Sequence, residues 1–338
     1  MGYTGWSDDD YLTKEKVRKM LGKSAFEYTD ETMKNVRSEN RICHQRLDPK
    51  GVIRESRDSA THPESLAICV IFDHTGSMEK IPRVLQRKLN TLMGFLLEKG
   101  YVEHPQVLFG AVGDAISDRA PLQIGQFESG IEMDNDLGLL LLEGNGGPWG
   151  QESYELALYF VSRHTSVDCW EKRKKKGYLF LIGDEFPYGV KANEVREIIG
   201  DELGQPILTE GIVAEVKEKY HTFFIIPTLA SGGKNPEVAR EWTLLLGQEY
   251  VVKIDDPEVV SETIALIIGV MEGKTTAEEG IKNLQEMGLS GEAIKSVSLS
   301  LSSVIGKKLR TPADKAPEAQ KPGAKNAGKG KTPKIGRL

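Results

Sequence analysis

The sequence has few cysteines, no long apolar run and no secretory start. Its 338 residues include three cysteines, Cys43, Cys69 and Cys169, which are odd in number and widely spaced. This pattern argues against a disulfide framework or a zinc site and favours a reducing compartment. No apolar run approaches the roughly 20 residues of a membrane helix, and residues 1–10 lack a basic start and an apolar core. We therefore expect a cytoplasmic protein without a membrane segment.

Charge is unevenly distributed along the chain. The formal net charge is −6, but residues 307–338 hold ten Lys or Arg against two Asp or Glu. This basic tail has almost no large apolar side chain, so it cannot bury a core and is predicted to be disordered. It would act as a solubilising extension or make weak, non-specific contact with nucleic acid, because it has no aromatic residue on which a base could stack.

Strand-like and helix-like patterns alternate between residues 63 and 273. The apolar, strand-like runs are 66–72, 107–112, 125–132, 178–182, 222–226 and 250–254, of which 125–132 is expected to be antiparallel. The helical patterns are 81–97, 137–142, 153–164, 190–203, 236–246 and 257–271. This alternation predicts an α/β fold with a doubly wound, mostly parallel sheet that is covered by helices on both faces. A ligand site is then expected beyond the carboxyl ends of the strands.

The predicted core has flanking segments of different character. An N-terminal extension over 1–62 holds helical patterns at 12–21 and 31–37. The core domain is expected to span 63–273. A small helical hairpin is expected over 274–306, with a glycine, Gly288, between its helices. The basic tail, 307–338, completes the predicted division.

One carboxylate and two hydroxyls follow the first predicted strand. Asp73, Thr75 and Ser77 form the pattern Asp-x-Thr-x-Ser on one tight loop, and Asp114 and Asp184 each follow another strand. If these strands are parallel neighbours, the three carboxylates meet at one edge of the sheet. Hard oxygen ligands of this kind suit Mg²⁺, Mn²⁺ or Ca²⁺. The alternative is a strand-to-helix turn in which Thr75 or Ser77 caps the helix, with Asp114 as a turn residue.

The motif and the order of elements over about 66–271 resemble a von Willebrand factor A (vWA) domain with a metal-ion-dependent adhesion site. The segments GDAISDR, ESYELALYF and KKGYLFLIGDE are similar to an uncharacterised bacterial and phage branch of that superfamily. The resemblance implies a divalent cation, usually Mg²⁺, bound by Thr75 and Ser77 directly, by Asp73 through water and by Asp184. It also implies a partner protein whose acidic side chain completes the coordination. Cytoplasmic members often work beside AAA+ ATPases, which makes such an ATPase the implied partner.

The second loop of the implied site departs from the family pattern. Most vWA domains have a threonine here, whereas residues 144–153 (GNGGPWGQES) contain none. Glu152 or Ser153 could take its place. A directly bound glutamate would neutralise the ion and weaken its attraction for a partner's carboxylate.

The leading hypothesis is a non-enzymatic protein-interaction module. An alternative is a structural or accessory component of a bacterial or phage assembly, in which the helices of 274–306 mediate oligomerisation. A Mg²⁺-dependent phosphohydrolase that uses Asp73, Asp114 and Asp184 is the least favoured alternative. Aspartyl phosphatases carry Asp-x-Asp, and here the second position is Thr75.

Overall fold

The computed structural model describes residues 4–78, 80–146 and 150–305, with the side chains of Ser77, Ser303 and Ile305 outside the description. The predicted basic tail, 307–338, lies outside the described residues. The strands are β1 (Arg54–Ser56), β2 (Leu66–Asp73), β3 (Pro105–Val112), β4 (Leu122–Ile124), β5 (Gln151–Glu152), β6 (Thr165–Val167), β7 (Gly177–Ile182), β8 (Phe186–Pro187), β9 (Tyr220–Pro227) and β10 (Val251–Ile254).

The helices cover much of the remaining chain. They are α1 (Asp8–Leu21), α2 (Glu27–Asn35), α3 (Lys80–Arg87), α4 (Leu89–Leu97), α5 (Glu132–Gly138), α6 (Tyr154–Arg163), α7 (Asp168–Glu171), α8 (Ala192–Glu194), α9 (Thr209–Lys219), α10 (Pro236–Leu246), α11 (Val260–Met271), α12 (Ala277–Glu286) and α13 (Gly291–Ile305). Short 3-10 turns lie at Ser38–Asn40, Gln45–Leu47, Gly76–Met78, Gly232–Lys234, Gln248–Tyr250 and Pro257–Val259, and a π turn at Val195–Ile199.

In the described chain, six strands form the central sheet in the order β10-β9-β7-β2-β3-β4. All neighbours are parallel except β4, which is antiparallel to β3. Every residue of β2, β3 and β7 is buried, so both faces of the sheet are covered, which explains why these strands are apolar throughout. This arrangement confirms the predicted mostly parallel α/β fold.

The connections explain how the helices cover the two faces. The chain passes from β2 to β3 through α3 and α4, then returns past β2 to β7 through α6. Because such crossovers are right-handed, a reversal of direction puts the later helices on the opposite face. Helix α11 packs against α4, and α9 packs against α6, which completes one layer on each face.

The register sets the strand ends level. Asp73 pairs with Val112 of β3, and Phe72 pairs with Ile182 of β7. The chain therefore leaves all three strands at the same height, which we call the carboxyl edge. The opposite edge, where these strands begin, is the amino edge.

Two of the predicted elements differ from the structure in position or length. The antiparallel strand beside β3 is Leu122–Ile124, just before the predicted 125–132. Within 125–132, Gly125 and Glu128 bond to β3, with Glu128 and Val107 in an antiparallel bridge, while the Asp136 carboxylate accepts the Gln126 amide at 3.1 Å and interrupts the strand. The predicted helix 137–142 ends at Gly138 in α5. Leu139 lies in a turn, and residues 140–142 have no regular secondary structure, with the Leu142 amide donating to Thr29 Oγ1 at 3.0 Å.

Two predicted helices, 81–97 and 190–203, are each divided in the structure. The predicted helix 81–97 is two helices, α3 and α4, which meet at Lys88, whose Nζ lies 2.6 Å from Glu262 Oε1 on α11. The predicted helix 190–203 is α8 followed by the π turn, and it ends at Gly200, which has a left-handed φ of 98°. Helix α9 and the parallel pair β1–β6 were not predicted.

The flanking segments pack against the core. In α1 the hydroxyl of Tyr11 donates to the Gln86 carbonyl at 2.8 Å, and Arg18 forms an ion pair with the buried Asp134. Helices α12 and α13 form a hairpin at the predicted position, and a capping box of Thr276 and Glu279 starts it. The hairpin packs against α11 and β10. The N-terminal extension and the helical hairpin both pack against the core domain, so the contacts do not mark where one domain ends and the next begins. The predicted domain boundaries therefore stay predictions.

Among the described residues, no helix combines the length and apolar character that crossing a lipid bilayer requires.

Candidate functional site

The candidate site lies at the carboxyl edge, where the strand order reverses. Strand β2 lies between β7 and β3, and the chain runs from β2 to β3 before it returns to β7. The crevice at such a reversal is where open α/β sheets bind ligands. Asp73 ends β2, and Asp114 and Asp184 lie just beyond β3 and β7; all three are fully buried. The predicted convergence of these residues is confirmed.

Asp73 holds the loop that follows it. Its Oδ1 accepts hydrogen bonds from the amide of Thr75 at 2.7 Å and from the hydroxyl of Thr75 at 2.6 Å. The Gly76 amide donates to the carbonyl of Asn145 at 3.0 Å, which joins this loop to the segment before 147. Since the hydroxyl proton of Thr75 points to Asp73, the lone pairs of Thr75 Oγ1 remain for another partner.

Tyr154, the first residue of α6, connects the ends of β2 and β7. Its hydroxyl donates to Asp73 Oδ2 at 2.6 Å and accepts from the amides of Asp184 and Glu185 at 3.2 and 3.3 Å. A Cβ at Gly183 would lie 2.3 Å from this hydroxyl, so only glycine fits there. Burial raises the pKa of Tyr154 well above its ordinary value, and the charges of Asp73 and Asp184 add to this effect. The hydroxyl therefore stays protonated and able to donate.

The loop after β7 has two further attachments. The amide of Gly232 donates to Asp184 Oδ2 at 2.9 Å, which ties this loop to the one after β9. The indole Nε1 of Trp242 donates to the carbonyl of Glu185 at 3.1 Å. The orientation of the Asp184 carboxylate is thus fixed by a main-chain donor of a neighbouring loop.

The loop after β3 is organised by two aspartates. Asp118 Oδ2 accepts the Asp114 amide at 2.7 Å, and Asp114 Oδ2 accepts the amide and hydroxyl of Ser117 at 3.1 and 3.0 Å. Asp114 Oδ1 is buried and has no hydrogen-bond partner among the described residues. A buried carboxylate oxygen of this kind costs free energy unless something binds it.

His74 lies between the loops after β2 and β3. It is only 2% exposed, and neither ring nitrogen has a hydrogen-bond partner in the described part of the chain. A Cβ at Gly113 would lie 2.7 Å from His74 Nε2 and 2.3 Å from Asp118 Oδ2, so glycine is required at this close approach.

The segment without threonine supplies a different pair of side chains. Residues 147–149 lie outside the described residues. Glu152 is buried, and a Cβ at Gly146 would lie 3.8 Å from Glu152 Oε1 and 4.0 Å from Thr75 Cβ, so Glu152 and Thr75 border the same glycine. Ser153 Oγ instead accepts the amide of Ala115 at 3.0 Å. Of the two predicted substitutes, Glu152 is beside Thr75, and Ser153 joins the loop after β3.

Like charges and burial oppose ionisation at this edge. Burial raises the pKa of Asp73 to about 6, against hydrogen bonds from Thr75 and Tyr154 that lower it and with the Asp184 charge adding to the rise. Burial, Asp184 and Asp73 together raise the pKa of Glu185 to about 7. Two carboxylates act on Glu185, so a bound cation would relieve this repulsion.

Five of the six predicted ligands have side chains that the structure places at the carboxyl edge, and the sixth is Ser77. Asp73, Thr75, Asp184, Glu152 and Ser153 all lie there. The backbone of Ser77 lies in the turn Gly76–Met78, but its side chain is outside the described residues. Within the described ranges, no three His, Cys, Asp or Glu side chains are grouped closely enough to hold a metal ion. A cation here would need hydroxyl, main-chain or water oxygens as well, and the ligand roles stay predictions.

The oxygen chemistry of these residues suits a hard cation. Thr75 Oγ1 retains free lone pairs, and Asp114 offers a buried carboxylate oxygen without a partner among the described residues. Neutral hydroxyls and carboxylates are ligands of Mg²⁺ and Ca²⁺.

Sequence reasoning missed the role of Tyr154. An aromatic residue at the start of an apolar helix is expected to pack in the core, and its ring does so, with ring centroids 5.4 Å from Phe224 and 5.7 Å from Trp242. Two signals pointed to its hydroxyl: the segment Glu152-Ser153 directly before it and the glycine at 183, which leaves room for it.

Comparison with known proteins assigns the chain to no family. No family model matches it, and no curated protein matches it. Among solved structures, the pilus adhesin SpaC from Lactobacillus rhamnosus GG in its open conformation is similar with a TM-score of 0.43 and 12% identity, over 65% of this chain and 31% of the adhesin. Proximal thread matrix protein 1 from the mussel byssus has a TM-score of 0.39 and 10% identity, over 61% of this chain and 46% of that protein.

This chain thus spans between about a third and a half of the length of those two proteins. At these scores the likeness supports no argument about family or function. The α/β architecture rests on the strand order and register of the chain itself.

Proposed function

We propose that this chain is a protein-interaction module of the vWA type that binds a divalent cation, Mg²⁺ first, at its carboxyl edge. The observation that carries the proposal is the state of Thr75: its hydroxyl proton is held by Asp73, and its side chain borders Gly146 together with Glu152. Burial also raises the pKa of Asp73 and Glu185 at this edge. The position at the strand reversal adds support.

The proposed ligands are the hydroxyls of Thr75 and Ser77 and the carboxylate of Asp184, with Asp73 acting through water. Glu152 is the proposed replacement for the missing threonine, since it borders Thr75 across Gly146. Ser153 is a weaker candidate because its Oγ already accepts the Ala115 amide. Mn²⁺ and Ca²⁺ would be bound by the same oxygens.

The cation would bridge to an acidic side chain of a partner protein. Neutral hydroxyl ligands leave its charge incompletely compensated, so an external carboxylate is attracted to an open position. Glu152 as a direct ligand would weaken this attraction. An AAA+ ATPase is the partner that the vWA resemblance implies, and the basic tail would add at most weak nucleic-acid contact.

Divalent-ion dependence of stability tests the cation. We expect Mg²⁺ or Mn²⁺ at 100 times its Kd to stabilise the wild type by about 2.7 kcal/mol over the protein in EDTA. Thr75→Ala and Asp184→Asn should lose this increment. Thr263→Ala is the matched control: its buried hydroxyl lies on α11 and has no partner among the described residues. Equal melting of the wild type in Mg²⁺ and EDTA would refute the proposal.

The metal-bridged contact is tested by measuring which proteins are retained by immobilised wild type and by immobilised Asp184→Asn protein, each in Mg²⁺ and in EDTA. A protein retained only by the wild type in Mg²⁺ is the expected result. Retention that ignores both the metal and the substitution would count against a metal-bridged contact.

The assembly alternative is supported by exposed apolar side chains on the helical hairpin. Leu299 is 55% exposed, and a groove between α12 and α13 is lined by Ala277, Ile281 and Leu301. Against it, Leu284, Val297 and Val304 are buried. Deletion of the hairpin would therefore damage the core, and Leu299→Glu is the cleaner variant. Loss of a defined oligomer in light scattering would favour assembly through these helices.

A further inference from the structure

Tyr154 is the point at which the loops after β2 and β7 are joined. A tyrosine hydroxyl can donate one hydrogen bond and accept two. Here it donates to Asp73 and accepts from the amides of Asp184 and Glu185, so its full capacity is used between these two loops. The residue is fully buried, so water does not compete for these bonds.

A continuous series of hydrogen bonds runs through this hydroxyl. It starts at the amides of Asp184 and Glu185, passes through Tyr154 to Asp73 Oδ2, and continues from Asp73 Oδ1 to the amide and hydroxyl of Thr75. The orientation of Thr75 Oγ1 therefore depends on a hydroxyl that is not itself a proposed ligand and whose hydrogen bonds are all made to these two loops. Such outer hydrogen-bond partners orient metal ligands.

The tyrosine ring is held in place independently of the hydroxyl. It packs edge-to-face near Phe224 and Trp242, with interplanar angles of 82° and 74°. The indole of Trp242 also donates to the Glu185 carbonyl, which gives the same loop a second attachment. Removal of the hydroxyl alone would thus leave the ring packed and release the two loops from each other.

We infer that Tyr154 is a positioning residue that holds Asp73, Thr75 and Asp184 at the spacing of the cation site before an ion binds. This inference rests on the proposed cation binding. The hydroxyl of Tyr154 on α6, and not the bound ion, would then keep the ligands in their binding arrangement.

The test compares Tyr154→Phe with Tyr159→Phe in the full chain. Tyr159 lies on the same helix, is 1% exposed, and its hydroxyl donates to Asp201 Oδ2 at 2.7 Å, so the control also removes a tyrosine–aspartate hydrogen bond, here a partly buried one. Two quantities are measured: the affinity for Mn²⁺, from the free ion by electron paramagnetic resonance, and hydrogen exchange of the 183–187 segment in EDTA.

Tyr154→Phe should weaken Mn²⁺ binding at least tenfold and speed exchange at Asp184 and Glu185. Tyr159→Phe should stay within about twofold of the wild type in affinity, with unchanged exchange in this segment. Equal affinity of Tyr154→Phe and wild type would overturn the inference and leave the proposed function intact. Absence of Mn²⁺ and Mg²⁺ binding by the wild type would overturn both.

Trp242→Phe provides a second route if Tyr154→Phe does not fold. It removes the other side-chain attachment of the Glu185 loop. Because this variant keeps the Tyr154 hydroxyl and its hydrogen bonds, the inference expects its Mn²⁺ affinity to stay within about threefold of the wild type. A tenfold loss would overturn the inference, because it would assign the positioning of the site to the Trp242 attachment.

Discussion

At the amino edge of the sheet Asp58, Asp168 and Glu272 each contact a basic side chain, whereas at the carboxyl edge Asp73 and Asp184 lie near each other. Arg173 and Lys172 pair with Asp58 at 2.7 and 3.3 Å, and Lys175 pairs with Glu272 at 2.5 Å. The pKa values of Asp58 and Asp73, at the two edges, therefore shift in opposite directions.

At the amino edge, burial opposes the ionisation of Asp58, but hydrogen bonds from Arg173 and Ser65 lower its pKa. At the carboxyl edge, burial raises the pKa of Asp73 to about 6. One edge has carboxylates that stabilise the fold, and the other has carboxylates that a bound cation would stabilise.

The largest expected effect is from breaking the amino-edge pairs. Asp58→Ala removes five hydrogen bonds: two from Arg173, one from Lys172, and those from the amide and hydroxyl of Ser65. We expect a loss of about 3 kcal/mol in the free energy of unfolding by urea, because the Arg173 charge is left without its partner. The exposed neighbour Glu64→Ala is the control and should stay within about 0.5 kcal/mol of wild type. A loss below about 1 kcal/mol for Asp58→Ala would show that these ion pairs are dispensable.

A smaller effect is expected from His221, near the start of β9. Burial and the adjacent Lys176 lower its pKa to about 4, with Glu272 opposing, from the ordinary 6.5. Between these values the unfolded chain binds the proton and the folded chain does not, so stability is full above about pH 6.5 and falls as the pH drops toward 4. Allowing for partial exposure, we expect about 2 kcal/mol of pH-dependent stability.

His221→Gln should remove this component when urea unfolding is measured at pH 7 and pH 4.5. Other carboxylates titrate over the same range, so the difference between wild type and variant is the informative quantity. A difference that does not change with pH would contradict a neutral, buried His221.

The smallest effect is expected at the carboxyl edge, with the opposite sign. Glu185→Gln removes one charge next to Asp184 and Asp73. In EDTA we expect a gain of about 0.5–1 kcal/mol after solvent screening is allowed for. Thermal melts of wild type and variant in EDTA measure it. Destabilisation by Glu185→Gln would mean that the repulsion at this edge is already relieved by protein groups.

The strands and the aspartates after them were predictable because the signals are local. Residues 66–72 are apolar without interruption, and the strand they form is buried on both faces. Aspartates directly after such strands must reach the carboxyl edge, which placed Asp73 and Asp184 correctly. The same local reasoning found helix Pro236–Leu246 at both of its ends.

The features that sequence reasoning missed depend on distant partners. Arg173 pairs with Asp58 across 115 positions, and Lys88, where the predicted long helix breaks, reaches Glu262 across 174. No local pattern reports such a contact. The hydroxyl of Tyr154 is a similar case, since its partner Asp73 is 81 positions away.

The three thiols give the protein a built-in reporter. Cys69 lies in β2, four residues before Asp73, with no exposed surface, and burial raises its pKa well above the ordinary value. Burial likewise raises the pKa of Cys169, and that of Cys43 to about 12. Alkylation requires an accessible thiolate, so Cys69 reacts only when its strand opens. The rate at which Cys69 is alkylated therefore measures the free energy of opening of the strand that ends at Asp73, with no added probe.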